Sequence, residues 1–359
     1  MILFLEHAAE RKRGGEIYFA HLHGFFKKRF KDVLPQELEK LLPRLRNPIN
    51  HMKHKWKLAQ KHQPDLIVVD ISSAFRSALA VHFMKKRKRT ILVVVQGERQ
   101  SFRYNIFFLK WLVRSFEKYL LRSASMVITN SNYIAHRSKR YIRKRIPFIM
   151  ANPGLELSFS PDSNNLHIVN KKSPVELLFV GQCAYRKGLK GLVEAIGILK
   201  GLDIHLNIAG GYNKEDRYFK EVNKIINQER LQAKITFHGF LDRPQLNKLY
   251  RTCNIFIMPS LAEGFGMALA EAICFGLPIV ASTAGAIPEL VADGVNAVLV
   301  KPKDSKGIAA GIRRLIEDKN LRVSMSKANL EKAKILPSWD DFDRIMEERL
   351  APLIEKLPR

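Results

Sequence analysis

Along the 359-residue chain, short apolar runs rich in β-branched residues alternate with longer amphipathic stretches, and that alternation predicts parallel α/β sheets with helical crossovers. In the first half, strands are expected at Met1–Leu5, Leu66–Val69, Thr90–Val95, Met126–Thr129 and Pro147–Met150, with helices between them. The polar stretch from Asn152 to Lys172, NPGLELSFSPDSNNLHIVNKK, carries two prolines and several Asn and Ser residues, and it reads as a linker. Beyond it the pattern restarts, with strands at Val175–Val180, His205–Ile208, Lys234–Phe237, Ile255–Met258, Pro278–Ala281 and Ala297–Val300. Most are near-continuous apolar runs, as strands buried on both faces are. Trp339 to Leu357 reads as helical. The expected organisation is a Rossmann-like domain over residues 1–152, a second over 153–338, and a C-terminal helix over 339–359 whose destination periodicity alone leaves open, a return to the first domain being one option. Two such sheets side by side would direct strand C-termini and helix N-termini toward a common cleft, where open α/β sheets bind ligands.

Length agrees with two domains, and 46% hydrophobic residues with 9% aromatics supply enough apolar surface to fold them, so disorder is not the default. Charge changes the picture more. The formal net charge of +27 is uneven: residues 1–160 hold 32 Lys/Arg against 11 Asp/Glu, a net of +21, whereas 161–359 hold 29 against 23, a net of +6. Such a field attracts phospholipid surfaces, nucleic acid or phosphorylated substrates alike. Cys183, Cys253 and Cys274 show no metal spacing and no disulfide framework, which fits a reducing cytosol. The apolar start, Met1–Leu5, is too short for a signal peptide, and no apolar run approaches the roughly 18 residues that span a bilayer. A protein that is soluble or bound to a membrane surface is expected.

Candidate chemistry concentrates in PSLAEGFGMALAEAICFGLPIVAS, Pro259 to Ser282. A strand leads to Glu263, the chain turns through Gly264-Phe265-Gly266, and a helix beginning near Met267 carries Glu271 eight positions after Glu263. Glycines let backbone approach a ligand closely, and a helix start offers unpaired N–H groups, so the turn suits a diphosphate. Glu263 and Glu271 are placed to accept hydrogen bonds from hydroxyls on either side of it, one from a sugar and the other from a ribose. A second segment, LLFVGQCAYRKGLKGLVEAI from Leu177 to Ile196, ends a strand at Gly181 and starts a helix near Gly188. Arg186 and Lys187 stand at that helix's N-terminal side, where the dipole disfavours cations, and their placement calls for an anion.

Taken together these segments closely resemble the family 4 (group 1) retaining glycosyltransferases of the GT-B fold, strongly from Val175 to Pro302 and weakly from Met1 to Met150. The resemblance implies a hexosyltransferase that moves sugar from a nucleoside diphosphate sugar to a hydroxyl acceptor with retention. It implies that Lys187 and Arg186 neutralise the diphosphate, that Glu263 serves the sugar, and that Phe265, Gly266, Met267 and Glu271 line the donor site. Gly14-Gly15 resembles the family's N-domain glycine loop, expected here to open a helix at about Glu16. Gly239-Phe240 would lie beside the base. Two departures stand out: Gln182 occupies the place of a frequent Arg after the strand-ending glycine, and Gln96, in VVVQGERQ, the place of a frequent His. With basic side chains answering the leaving charge, no metal and no cofactor is expected. The basic first half adds the expectation of an anionic membrane surface at the inner face of the cell membrane, with a lipid-linked or cell-envelope glycan as acceptor. Competing readings are a nucleic-acid-binding protein, suggested by Lys85–Arg89 and Arg137–Arg145, and an inactive or epimerase-type GT-B protein.

Overall fold

A computed structural model describes residues 2–4, 14–30, 64–71, 91–96, 107–142, 145–155 and 174–355, together with positions 33, 56, 57, 60, 61, 77, 81 and 82. Two compact units result: residues 1–153 with 339–359, and residues 154–338. Long segments of the first unit, including Lys85–Arg89, lie outside the described residues.

The first unit contains β1 (Ile2–Phe4), α1 (Gly14–Arg29), β2 (Leu66–Asp70), β3 (Ile91–Gln96), α2 (Phe107–Ser123), β4 (Met126–Thr129), α3 (Asn132–Lys139) and β5 (Phe148–Met150). Its strands form a parallel sheet in the order β1-β2-β3-β4-β5, with Val68 level with Val93 and Val93 level with Met126. Alternate side chains serve opposite faces, as the pleat requires. Val68, Val93, Val95 and Ile128 join Tyr18, Phe19, Leu22 and Phe26 of α1, while Ile67, Val69, Val94 and Val127 pack with Leu120 and Leu121 of α2. β3 reaches one residue further than its apolar run suggests, because Gln96 continues the ladder opposite Thr129. Gly14 and Gly15 are the first two residues of α1, not a loop ahead of it.

The second unit runs β6 (Val175–Val180), a 3₁₀ turn (Tyr185–Lys187), α4 (Leu189–Ile198), β7 (Ile204–Ala209), α5 (Arg217–Gln228), β8 (Ile235–Gly239), α6 (Arg243–Thr252), β9 (Ile255–Met258), α7 (Met267–Cys274), β10 (Ile279–Ser282), α8 (Ile287–Leu290), β11 (Val298–Val300), α9 (Ser305–Glu317) and α10 (Lys319–Ala333). All neighbours in its sheet are parallel, in the order β11-β10-β9-β6-β7-β8. Leu177, Phe179, Leu206 and Ile208 face one apolar layer, with Leu189, Leu192 and Ile196 of α4; Leu178, Phe256 and Met258 face the other, with Leu269 and Ile273 of α7.

After Ser338 the chain returns to the first unit as α11 (Trp339–Ile345), a π-helical turn (Met346–Leu350) and α12 (Ala351–Glu355). Phe342 is fully buried, its ring edge-on to Tyr18 at 5.3 Å, and the Tyr18 hydroxyl donates to the Ala151 carbonyl at 3.0 Å. His21 stacks on Trp339 at 4.1 Å and pairs with Asp343 at 3.0 Å, and Arg29 bonds both Glu347 and Glu355. An aromatic anchor in a filled core is costly to remove. Phe342→Ala should destabilise the first unit by about 3–5 kcal/mol, read by hydrogen exchange as faster exchange of β2–β4 amides with those of β6–β9 unchanged.

Candidate functional site

In the second unit the chain leaves β6 toward β7 and β8, then returns to lay β9 on the other side of β6. Loops that follow β6 and β9 therefore diverge at a topological switch point, the place where such sheets form a binding crevice. Arg186 and Lys187 come from the first loop, Glu263 from the second.

Backbone contacts lock the two loops together. Gly188 has φ 71°, and a Cβ there would stand 2.0 Å from the carbonyl oxygen of Pro259, so a side chain is doubly forbidden. The Arg186 carbonyl accepts from Leu261 N at 2.7 Å. Across this junction Lys187 Nζ donates to Glu263 Oε2 at 2.6 Å, with only 12% and 10% of the two side chains exposed. Ser260 Oγ adds a bond to the same oxygen at 3.3 Å. Burial drives the Glu263 carboxyl upward, but the charges of Lys187 and Arg186, with the bonds from Lys187 and Ser260, outweigh it and hold the group below its ordinary value. The main chain of Glu263 is held as well: its carbonyl accepts from Ala286 N at 3.0 Å, and a Cβ on Gly285 would come within 2.1 Å of that oxygen.

Three residues on, Gly266 takes φ 106° as the N-cap of α7, and no side chain caps that helix. Its first N–H groups are therefore available to an anion. Glu271, on the second turn, is buried at 6% exposure and accepts from Arg243 Nη1 at 2.9 Å through Oε1 and from the Tyr250 hydroxyl at 2.8 Å through Oε2. Tyr250 is fully buried and stacked on Phe275 at 5.0 Å; burial, then the Glu271 charge, push its phenol far above its ordinary value, so it remains a donor.

The family model for group 1 glycosyl transferases matches residues 164–332. Over those residues the second unit is similar to the group 1 glycosyltransferases. An uncharacterized glycosyltransferase of Methanocaldococcus jannaschii is 32% identical over 167 residues, covering 46% of this chain and 42% of that protein. The chain spans about half the length of the curated relatives it matches. Among solved structures, sucrose-phosphate synthase from Thermosynechococcus elongatus superposes with a TM-score of 0.78 at 18% identity, over 99% of each chain. Anabaena HepE in complex with UDP and glucose gives 0.75 at 20% identity, over 98% of this chain and 99% of that one. These likenesses show the GT-B fold.

The remaining expected residues divide by what they expose and by the unit they belong to. Phe240 is 51% exposed beyond the end of β8, where Gly239 has φ 68°, and its ring fills the space over Gly211. Gln182 follows β6, its carbonyl accepting from Ala184 N at 2.8 Å. Phe265 is buried in the apolar layer beneath α7, so its side chain serves packing and only its main chain faces the turn; Met267 packs partly against the same layer. Gly14, Gly15 and Gln96 belong to the first unit, at the start of α1 and the end of β3. Arg243, Tyr250 and Ser260 were missed in the sequence. Arg243 carried a signal, since it opens α6 against the helix dipole, as Arg186 and Lys187 stand against that of α4.

The Lys187–Glu263 pair has a pH signature. A carboxyl held low in the folded state stabilises above its unfolded value and loses that contribution as pH falls through the folded one. Lys187→Met, which strands a buried carboxylate, should cost about 3–5 kcal/mol near neutral pH. The gap in Tm from wild type should close as pH drops below the ordinary carboxylate value of 4.5; scanning calorimetry checks this, and a gap independent of pH would assign the loss to packing alone.

Proposed function

We propose that the protein is a retaining hexosyltransferase that moves a sugar from a nucleoside diphosphate sugar to a hydroxyl acceptor. The observation that carries this reading is the buried Lys187–Glu263 pair set beside the uncapped start of α7 at the switch point. The anomeric carbon's bond to the diphosphate oxygen breaks, the acceptor oxygen bonds that carbon and passes its proton to the departing diphosphate, which leaves with the electron pair. Lys187 has three N–H donors, of which Glu263 takes one, leaving two for the departing phosphates. Arg186 and the N–H groups of α7 add fixed positive potential, strongest where charge develops, so transition-state stabilisation needs no metal. Glu263 and Glu271 accept from sugar and ribose hydroxyls, with Gly239-Phe240 beside the base. The complex of HepE with UDP and glucose supports a donor of this class.

Membrane docking through the basic first unit belongs to the same proposal, with a lipid-linked or cell-envelope glycan as acceptor at the inner face of the cell membrane. α2 packs Val113, Leu120 and Leu121 inward yet leaves Trp111 58% exposed, with Arg114 and Arg122 also outward. An exposed aromatic flanked by cations is an interfacial pattern, and each nearby Lys or Arg adds about 1 kcal/mol at an anionic surface. No described helix is long and apolar enough to cross a membrane.

UDP-, GDP- and ADP-sugars should be screened by thermal shift, and one class should raise Tm in a concentration-dependent way. With that donor, Lys187→Ala should lower kcat by about 100-fold or more, while chelators leave turnover unchanged; an intact kcat would reduce Lys187 to a structural lysine. Sedimentation with liposomes should rise with anionic lipid content and fall with salt, and equal recovery with neutral and anionic vesicles would overturn the docking.

A further inference from the structure

Glu271 is held by two side chains that come from one helix. Arg243 is the first residue of α6 and Tyr250 lies two turns along it. Each gives its bond to a different oxygen of the carboxylate, Arg243 to Oε1 and Tyr250 to Oε2. A carboxylate offers about four lone-pair sites, two on each oxygen, so this division leaves one acceptor site free on both. Had Arg243 engaged both oxygens as a fork, as guanidinium groups commonly do, the pair would have been closed to a third partner. Tyr250 prevents that. Its phenol is fully buried, its ring is fixed against Phe275, and its proton stays in place.

From this geometry we propose that Arg243 and Tyr250 are positioning residues that hold Glu271 open as a two-oxygen acceptor for the vicinal 2′,3′-diol of the donor's ribose. The inference rests on the proposed ribose role of Glu271 and adds what makes that carboxylate selective. Two adjacent hydroxyls, each needing one acceptor, match two oxygens with one free site each. Removal of either protein donor lets the carboxylate turn onto the other, and the match is lost. Arg243 also ties this acceptor to the base, because it stands four residues after Gly239 and directly after Asp242, whose side chain and Gln245 form the capping box of α6. Arg243 holds the ribose acceptor and the start of the helix behind the proposed base loop as one piece.

The test is discrimination between ribose and deoxyribose, which a merely structural role would not move. Binding of UDP, GDP and ADP and of their 2′-deoxy counterparts is measured by calorimetry on the full chain. Wild type should prefer the ribose form of its nucleotide by about tenfold or more, the worth of a hydrogen bond to a charged group. Tyr250→Phe removes one oxygen and keeps the stacked ring; it should bring the ratio to within about twofold by weakening the ribose form while deoxy binding stays at the wild-type level. Arg243→Gln should do the same, and Arg243→Lys should restore part of the preference. Deoxynucleotide affinity is thus the internal control for folding. Variants that keep the wild-type ratio, or that weaken both forms equally, overturn the inference. If wild type binds nucleoside diphosphates without preferring ribose, this inference falls while the glycosyltransferase reading stands; if it binds none of them, both fall.

Discussion

A lysine and a glutamate, joined at 2.6 Å in a setting that exposes about a tenth of each, form the constraint on which the second unit's site depends. Bringing two charges out of water is costly unless geometry and extra hydrogen bonds compensate, so such a pair tolerates little movement of its supports. Here the supports are glycines pressed onto carbonyls. Gly188 abuts Pro259 and Gly285 abuts Glu263, and neither position has room for a Cβ. Strand β6 and strand β9 are neighbours in the sheet, so the two loops already start side by side, and the ion pair sets their relative height.

The second carboxylate answers to different partners. Glu263 sits in irregular backbone and relies on Lys187, whereas Glu271 lies within α7 and relies on a guanidinium and a phenol from α6. Eight positions of separation, part loop and part helix, place one before the α7 start and the other on its second turn. One network joins loops across the switch point. Its counterpart joins two helices on one face of the sheet.

Legibility followed the physics of each element. Strands β6, β9 and β10 were readable because burial on both faces demands near-continuous apolar runs, and the glutamate spacing stood out because close backbone approach demands glycines around it. What escaped were partners supplied by tertiary packing. Tyr250, in LNKLYRT, looks like any amphipathic-helix aromatic until Glu271 is found against its hydroxyl. Phe265 shows the reverse, since a residue within the glycine turn spends its side chain on the core. The first unit was read less well: Gly14 and Gly15 lie inside α1, and Gln96 is kept in β3 by its ladder partner, which apolar patterning cannot reveal.

The order of residues in the units has a consequence for how the protein is made. Leu155 and Ser338 pair as a parallel bridge, so the chain enters and leaves the second unit at adjacent points. That unit is an insertion: its residues form one continuous stretch ending at Ser338, while those of the first unit lie on both sides of it. Phe342, Met346 and Leu350, which complete the core against α1, are synthesised afterwards. The core beside α1 is therefore assembled from two stretches far apart in the chain and cannot be completed until the second has been made, whereas the other unit draws on one continuous stretch.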